Sequence, residues 1–113
     1  MPNNHKHNIT DELTKKIFAD LGCKEEQTRT IISKFLGDIK LFDKKQHDYG
    51  PQNIAKFGAS GVLVRSSDKI ERLINLQNRG EAPEVEEPVT ETWQDLTVYG
   101  AIARVCIDGK WKS

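Results

Sequence analysis

The sequence has little of what marks secreted, membrane or zinc-binding domains. Its only cysteines are Cys23 and Cys106, and it has no CxxC or mixed Cys/His motif. This predicts a reducing compartment and argues against a disulfide scaffold or a zinc site. The polar segment 1–8 has no apolar core, so we expect no signal peptide. Since no apolar run has the length of a membrane span, we predict a cytoplasmic protein without a membrane partner.

The chain also has no net charge. Lys and Arg together number 17, and so do Asp and Glu. A balanced chain is not generally attracted to DNA, RNA or an anionic membrane, so we expect no nucleic-acid polymer as partner. Any bound phosphate must be held by a local cluster of cations. The length of 113 residues allows one domain with a modest core.

What is present is apolar spacing typical of helices. Residues recur at intervals of three and four over 10–21, 25–45, 62–78 and 90–107, and a short helical turn fits within 52–60. Gly22, Gly50-Pro51 and Gly80 are the expected stops. Only 61–64 competes as a strand, by propensity alone. We predict an all-α fold, a compact bundle of about four helices packed into a homo-oligomer, a dimer or a tetramer.

The predicted domain organisation is simple. Residues 1–9 form a flexible N-terminal tail, 10–108 a single helical domain that starts at an N-cap on Thr10, and 109–113 a short C-terminal tail. The acidic, proline-bearing segment 81–89 is predicted as a loop.

The last predicted helix carries a carboxylate on its apolar face. Asp95 lies near the middle of a stripe formed by Val98, Tyr99, Ile102, Ala103 and Cys106. A carboxylate facing the core is costly to desolvate unless it is matched. Asp95 therefore needs a cation, a hydrogen-bond donor or a metal ion as partner.

The third long helix offers two ways to satisfy this carboxylate. Packed beside the last helix, it brings Asp68 and Glu71 toward Glu91 and Asp95, and four carboxylates can hold Mg²⁺. Alternatively, Arg72 or Lys69 pairs with Asp95 while the other charges face water. We favour the ion pair, since such pairs are commoner than metal sites, and the sequence leaves metal binding open.

Basic and aromatic residues accumulate between positions 44 and 72. In a neutral chain this local excess of cations is where we expect an anion to bind, with Tyr49 stacking on a base. Cations at a helix C-terminus also suit the helix dipole without any ligand. The predicted ligand-binding residues are Lys44, Lys45, His47, Tyr49, Asn53, Lys56, Arg65, Lys69 and Arg72.

Several of these motifs resemble a known family. The order His47-Asp48-Tyr49-Gly50, Gly61-Val62, Asp68-Lys69-Ile70-Glu71-Arg72-Leu73, Glu91-Thr92-Trp93-Gln94-Asp95-Leu96 and Tyr99 is similar to the phage nucleotide-modification-associated domain 1 family. The likeness covers about residues 35–107. It implies an all-α fold and a nucleotide ligand.

A more distant likeness is to the all-α nucleoside triphosphate pyrophosphohydrolases. Those enzymes carry an E-E-x-x-E helix and a later E-x-x-D, which bind Mg²⁺ over the phosphates. This chain has Asp68-x-x-Glu71 and Glu91-x-x-x-Asp95, and so departs from both motifs. The departure argues against hydrolysis.

The favoured hypothesis is a non-catalytic phage protein that sequesters a nucleotide signal of the host's anti-phage defence in the host cytoplasm. The expected ligand is a cyclic dinucleotide enclosed at a subunit interface, without a cofactor. The alternative is a Mg²⁺-dependent pyrophosphohydrolase that uses Asp68, Glu71, Glu91 and Asp95. A third option is a helical adaptor anchored by Trp93 and Trp111. Base identity, cyclic or linear ligand, metal dependence and subunit number stay open.

Overall fold

The expected all-α class is confirmed by a computed structural model, which describes residues 4–80 and 87–113, with side chains from residue 9. Its helices are α1 (Asn4–Asp20), α2 (Glu26–Tyr49), α3 (Gln52–Ala55), α4 (Gly58–Arg79) and α5 (Val89–Ile107). No strand occurs in these two ranges. Most of the predicted loop 81–89 lies outside the described residues, while Val89 is the first residue of α5.

Two helices end at the predicted glycines by recognisable hydrogen-bonding patterns. After α1, Gly22 adopts a left-handed conformation, with φ of 71°. The Cys23 amide then donates to the Phe18 carbonyl at 3.0 Å, which is the Schellman arrangement. After α4, Gly80 has φ of 66° and its amide donates to the last turn of the helix. The positive φ explains why glycine stands at both positions, since a Cβ would be strained there.

Three helix boundaries differ from the predicted ones. Helix α1 begins at Asn4 instead of Thr10, and α2 continues to Tyr49 instead of ending near Lys45. Neither extension contains a glycine or proline, so nothing in the sequence interrupts the backbone hydrogen bonds. Helix α4 begins at Gly58 instead of near Val62, and so includes the segment 61–64 that competed as a strand. The weak β-propensity of that segment is overridden by its place in a long helix.

The chain contacts divide it into two compact units, Met1–Asp43 and Lys44–Ser113. In the first unit, Ile32 and Thr14 are the buried residues among the described side chains. The guanidinium of Arg29 lies 4.6 Å from the centroid of the Phe18 ring. At this distance a cation–π contact forms between α1 and the first turn of α2.

The second unit is built around α4 and α5. These helices run antiparallel, because the first turns of α4 line a groove with the last turns of α5, whereas Arg72 contacts Thr92. The buried apolar side chains are Ile54, Val62 and Ile102. The Trp111 indole N–H donates to the Pro51 carbonyl at 3.0 Å and so attaches the C-terminal segment to this unit.

The apolar side of α4 is only partly used for this core. Ile70 and Ile74 are each 47% exposed and Leu63 is 72% exposed. These three residues lie within about 40° of one another around the helix axis and form a single stripe, the α4 stripe. An exposed stripe of this kind indicates a surface for a further contact.

In the described part of the chain, no helix combines the length and the apolar character that crossing a bilayer requires.

Candidate functional site

Six polar side chains of the second unit form a connected network, here called the charged cluster. Its members lie in the last turns of α2, in α4 and in α5, and one of them directly precedes the N-cap residue of α5. They are Lys45, Lys69, Arg72, Glu87, Thr92 and Asp95.

Asp95 occupies the centre of the cluster. Its side chain is only 10% exposed, and its two oxygens are held by different cations. Oδ1 accepts from Lys45 Nζ at 3.0 Å, and Oδ2 lies 3.0 Å from Lys69 Nζ. The predicted need for a cationic partner is met twice, and Lys69, not Arg72, is the partner from α4.

The other half of the cluster surrounds Thr92, whose side chain is fully buried. Its hydroxyl donates to Glu87 Oε2 at 2.6 Å and accepts from the Arg72 guanidinium. Arg72 also donates to the Glu87 backbone carbonyl at 2.6 Å. Lys69 Nζ donates to Glu87 Oε1 at 3.1 Å and so joins the two halves.

The electrostatic effect of these contacts appears in three pKa shifts. Burial lowers the pKa of Lys45 and of Lys69, but the hydrogen bonds and charge of Asp95 outweigh it, so both values lie above the ordinary 10.5. Glu91 and Tyr99 add to the effect on Lys45, and Glu87 adds to that on Lys69. The hydrogen bond from Thr92 is the main cause that holds the pKa of Glu87 below its ordinary value, with Lys69 and Arg72 adding to it. These groups therefore stay ionised over the whole neutral range.

Helical spacing explains why these residues meet. Lys69 and Arg72 are three positions apart on α4, and Thr92 and Asp95 are three positions apart on α5, so each pair lies on one face of its helix. Lys69 therefore lies opposite the Asp95 carboxylate, and Arg72 lies opposite the Thr92 hydroxyl. Glu87 precedes the N-cap residue Pro88, whose extended conformation brings the chain into α5 beside Arg72.

The four carboxylates considered for a magnesium ion are distributed differently. Asp68 and Glu71 are exposed, whereas Asp95 is buried and paired. The side of α4 that faces α5 carries Lys69 and Arg72 instead of these two carboxylates. Glu91 lies close enough to Lys45 to raise its pKa. Within 4–80 and 87–113, no three acidic, histidine or cysteine side chains form a group that could hold a metal ion.

A second group of side chains lies at the junction of α3 and α4 and is here called the basic patch. It consists of Asn53, Lys56, Phe57 and Arg65. The Arg65 guanidinium donates to the Asn53 backbone carbonyl at 3.4 Å, and Lys56 Nζ lies 5.9 Å from the centroid of the Phe57 ring. Asn53 and Lys56 are three residues apart in helical geometry and therefore share a face.

The basic patch contains two cations, Lys56 and Arg65. Among the described residues, neither Lys56 nor Arg65 forms an ion pair with a carboxylate. The patch adjoins the first turn of α4, which has no acidic residue and no side-chain cap. Free backbone amides and the helix dipole add positive potential to the patch. The basic patch can thus offer a ligand two cations, a side-chain amide and an aromatic ring.

The remaining predicted ligand residues lie at the end of α2. Lys44, His47 and Tyr49 are exposed, and Tyr49 is 71% exposed. His47 Nδ1 lies 3.6 Å from Asp48 Oδ1. The nine predicted ligand residues thus fall into three groups: Lys45, Lys69 and Arg72 in the charged cluster, Asn53, Lys56 and Arg65 in the basic patch, and these three on α2.

Sequence reasoning missed two residues that complete the charged cluster, Thr92 and Glu87. Thr92 had a usable signal, because it stands three residues before Asp95 and shares its face. Glu87 had none, since it precedes the N-cap of α5 and follows no helical periodicity.

An apolar groove opens between α4 and α5. Its volume is about 350 Å³, and Val62, Leu63, Tyr99, Ala103 and Ile107 supply most of its apolar lining. Tyr99, which lines this groove, is also one of the smaller causes that raise the pKa of Lys45.

None of the protein-family models, curated proteins or solved structures compared with this chain matches it. The likeness to the phage family stays a prediction that rests on the motifs themselves.

The Thr92 hydroxyl gives a test of the charged cluster. Thr92→Val keeps the side-chain shape but leaves Arg72 and Glu87 without their shared partner, so we expect a loss of about 3 kcal/mol in the free energy of unfolding. Thr92→Ser keeps the hydroxyl, loses a methyl group and costs about 1 kcal/mol. Urea unfolding followed by circular dichroism measures both. Equal losses in the two variants would show that the hydroxyl contributes nothing.

Proposed function

We propose that this chain binds a nucleotide through the basic patch and sequesters it without turning it over. The observation that carries the proposal is the basic patch itself. Within the described residues, Lys56 and Arg65 form no ion pair with a carboxylate, and Lys56 Nζ lies 5.9 Å from the exposed Phe57 ring. Cations hold phosphates by charge-assisted hydrogen bonds, and an aromatic ring stacks on a base. In a chain of zero net charge, this is a local positive surface of the kind a phosphate needs.

The charged cluster supports the proposal because its own cations are poorly suited to bind a phosphate. Lys45, Lys69 and Arg72 are already matched by Asp95 and Glu87, so moving them to a phosphate breaks existing ion pairs. Removing one partner of a buried pair leaves an uncompensated charge, which is strongly unfavourable. Lys56 and Arg65 carry no such cost.

The arrangement around Asp95 favours binding over hydrolysis. Both of its oxygens are held by ammonium groups, and a magnesium ion at Asp95 must first displace Lys45 or Lys69. Asp68 and Glu71 point to solvent elsewhere on α4. The pyrophosphohydrolase alternative therefore requires a rearranged cluster.

The finer form of the proposal concerns the ligand and its setting. The resemblance to the phage nucleotide-modification-associated domain 1 family favours a phage protein that acts in the host cytoplasm. There it sequesters a nucleotide signal of the anti-phage defence, and a cyclic dinucleotide is the ligand we favour.

A homo-oligomer belongs to the same proposal, with a second copy of this chain on the α4–α5 surface. Leu63, Ile70 and Ile74 form an exposed apolar stripe, and the groove lined by Tyr99 and Ala103 lies beside it. One surface thus offers both a ridge and a groove, which a twofold axis can pair with its own copy. The zero net charge imposes no overall repulsion between copies.

The binding proposal is tested by calorimetric titration with cyclic dinucleotides, cyclic trinucleotides and nucleoside triphosphates, with and without Mg²⁺. We expect one ligand class to bind, and we expect Lys56→Gln and Arg65→Gln each to weaken it by about tenfold or more. Lys34→Gln, at an exposed lysine of α2 outside the patch, is the matched control and should leave the affinity unchanged.

Chromatography of each mixture separates binding from turnover. Recovery of the intact ligand, with an affinity unchanged by EDTA, agrees with sequestration. Metal-dependent loss of the ligand, or affinity that survives both patch substitutions, contradicts the proposal.

The oligomer is tested by placing a charge in the α4 stripe. Ile70→Glu should lower the molar mass measured by light scattering to that of a single chain, because a buried unpaired carboxylate is costly. Asn75→Glu adds the same charge about 140° away on α4 and should leave the mass unchanged. A wild-type protein that is already a single chain at every concentration would contradict a homo-oligomer.

A further inference from the structure

We infer that Phe57 is the base-stacking platform of the basic patch and that Gly61 holds its ring in place. This inference rests on the proposed nucleotide binding and names the ligand class more closely. The ligand must combine an aromatic base with a phosphate close enough to reach Lys56 and Arg65. Phe57 takes the role that the sequence had suggested for Tyr49.

The exposure of Phe57 is the first observation. Phe57 is 67% exposed, although burying a phenylalanine ring gives a large gain in hydrophobic free energy. It does not serve the core of its unit, whose buried apolar residues are Ile54, Val62 and Ile102. An exposed ring close to the ammonium group of Lys56 has the composition of a nucleotide-stacking surface.

The second observation is the close fit between Phe57 and Gly61. A Cβ built on Gly61 would lie 2.7 Å from the Phe57 Cβ and 3.7 Å from its Cγ. Cβ atoms essentially never approach so closely, and Phe57 Cβ is not the far end of a flexible side chain. The absence of a side chain at position 61 therefore lets Phe57 lie against the first turn of α4, and an alanine would force it away. Gly61 lies within α4 and has ordinary helical backbone angles. Glycine is therefore needed there to leave room for Phe57 and not to adopt a special backbone conformation.

The third observation connects the ring to the cations. Lys56 Nζ lies 5.9 Å from the ring centroid, and Arg65 reaches the backbone of Asn53 on the adjoining α3. A base on the Phe57 ring and a phosphate on Lys56 can thus belong to one ligand. Among the described residues, the cation–ring contacts involve Phe18 and Phe57 and not Tyr49.

The test compares a nucleotide with its phosphate part alone. Calorimetry measures the affinity of wild type, Phe57→Leu and Phe57→Tyr for cyclic di-AMP, for ATP and for inorganic tripolyphosphate. We expect Phe57→Leu to weaken nucleotide binding by about tenfold or more, because an aliphatic side chain cannot stack. Phe57→Tyr keeps the ring and should bind nearly as wild type. Tripolyphosphate should bind all three proteins equally.

Gly61→Ala provides an independent arm. We expect it to reproduce the loss of nucleotide affinity of Phe57→Leu while tripolyphosphate binding is kept, and retained phosphate binding also shows that the variant is folded. Gly100→Ala, where a Cβ meets nothing within 4 Å, is the matched control and should keep full affinity.

The outcomes separate this inference from the proposed function. Nucleotide affinity unchanged in Phe57→Leu, or equal losses for nucleotide and tripolyphosphate, overturns the stacking role while the basic patch stands. A wild-type protein that binds no cyclic dinucleotide, cyclic trinucleotide or nucleoside triphosphate overturns the proposed function and this inference with it.

Discussion

A buried carboxylate shared between two lysines is the interaction on which the second unit depends. Asp95 faces the interior of α5, and its oxygens are each 3.0 Å from an ammonium nitrogen, one on α2 and one on α4. The cost of removing this carboxylate from water is offset only while both partners stay in place. The last turns of α2 are thereby attached to α4 and α5, and Arg72, Thr92 and Glu87 extend the same network to the start of α5.

This constraint divides the cations of the chain into two kinds. Lys45 and Lys69 have a structural partner, and their raised pKa values reflect it. Lys56 and Arg65 have no carboxylate partner within 4–80 and 87–113, and Lys56 lies close to the Phe57 ring. The positive potential of the basic patch is therefore local, since it comes from where these two cations lie and not from the net charge of the chain.

Much of the fold follows from the sequence. The glycines at 22, 50 and 80 and the apolar periodicity predicted the helices, and the position of Asp95 on an apolar face predicted its cationic partner. The start of α4 was wrong because Gly61 was taken as a break, whereas it makes room for Phe57. Helical spacing places Ile70 and Ile74 on one side of α4, but it does not show that this side is half exposed.

The candidate site was less accessible to sequence reasoning. The nine predicted ligand residues were grouped by their closeness along the chain, yet helical rotation turns Lys69 and Arg72 toward α5. Glu87 enters the network because of the path by which the chain reaches Pro88. Contacts of this kind join residues that are distant in the sequence, and they produce no local sequence pattern.

The most direct test of this division measures stability and affinity on the same variant, Lys69→Gln. Because Lys69 supports Asp95 and not the ligand, the melting temperature should fall by several degrees. The affinity of the folded protein for its nucleotide, measured well below that temperature, should equal that of wild type. A variant that melts as wild type but has lost nucleotide binding would place Lys69 in the ligand site and contradict the account.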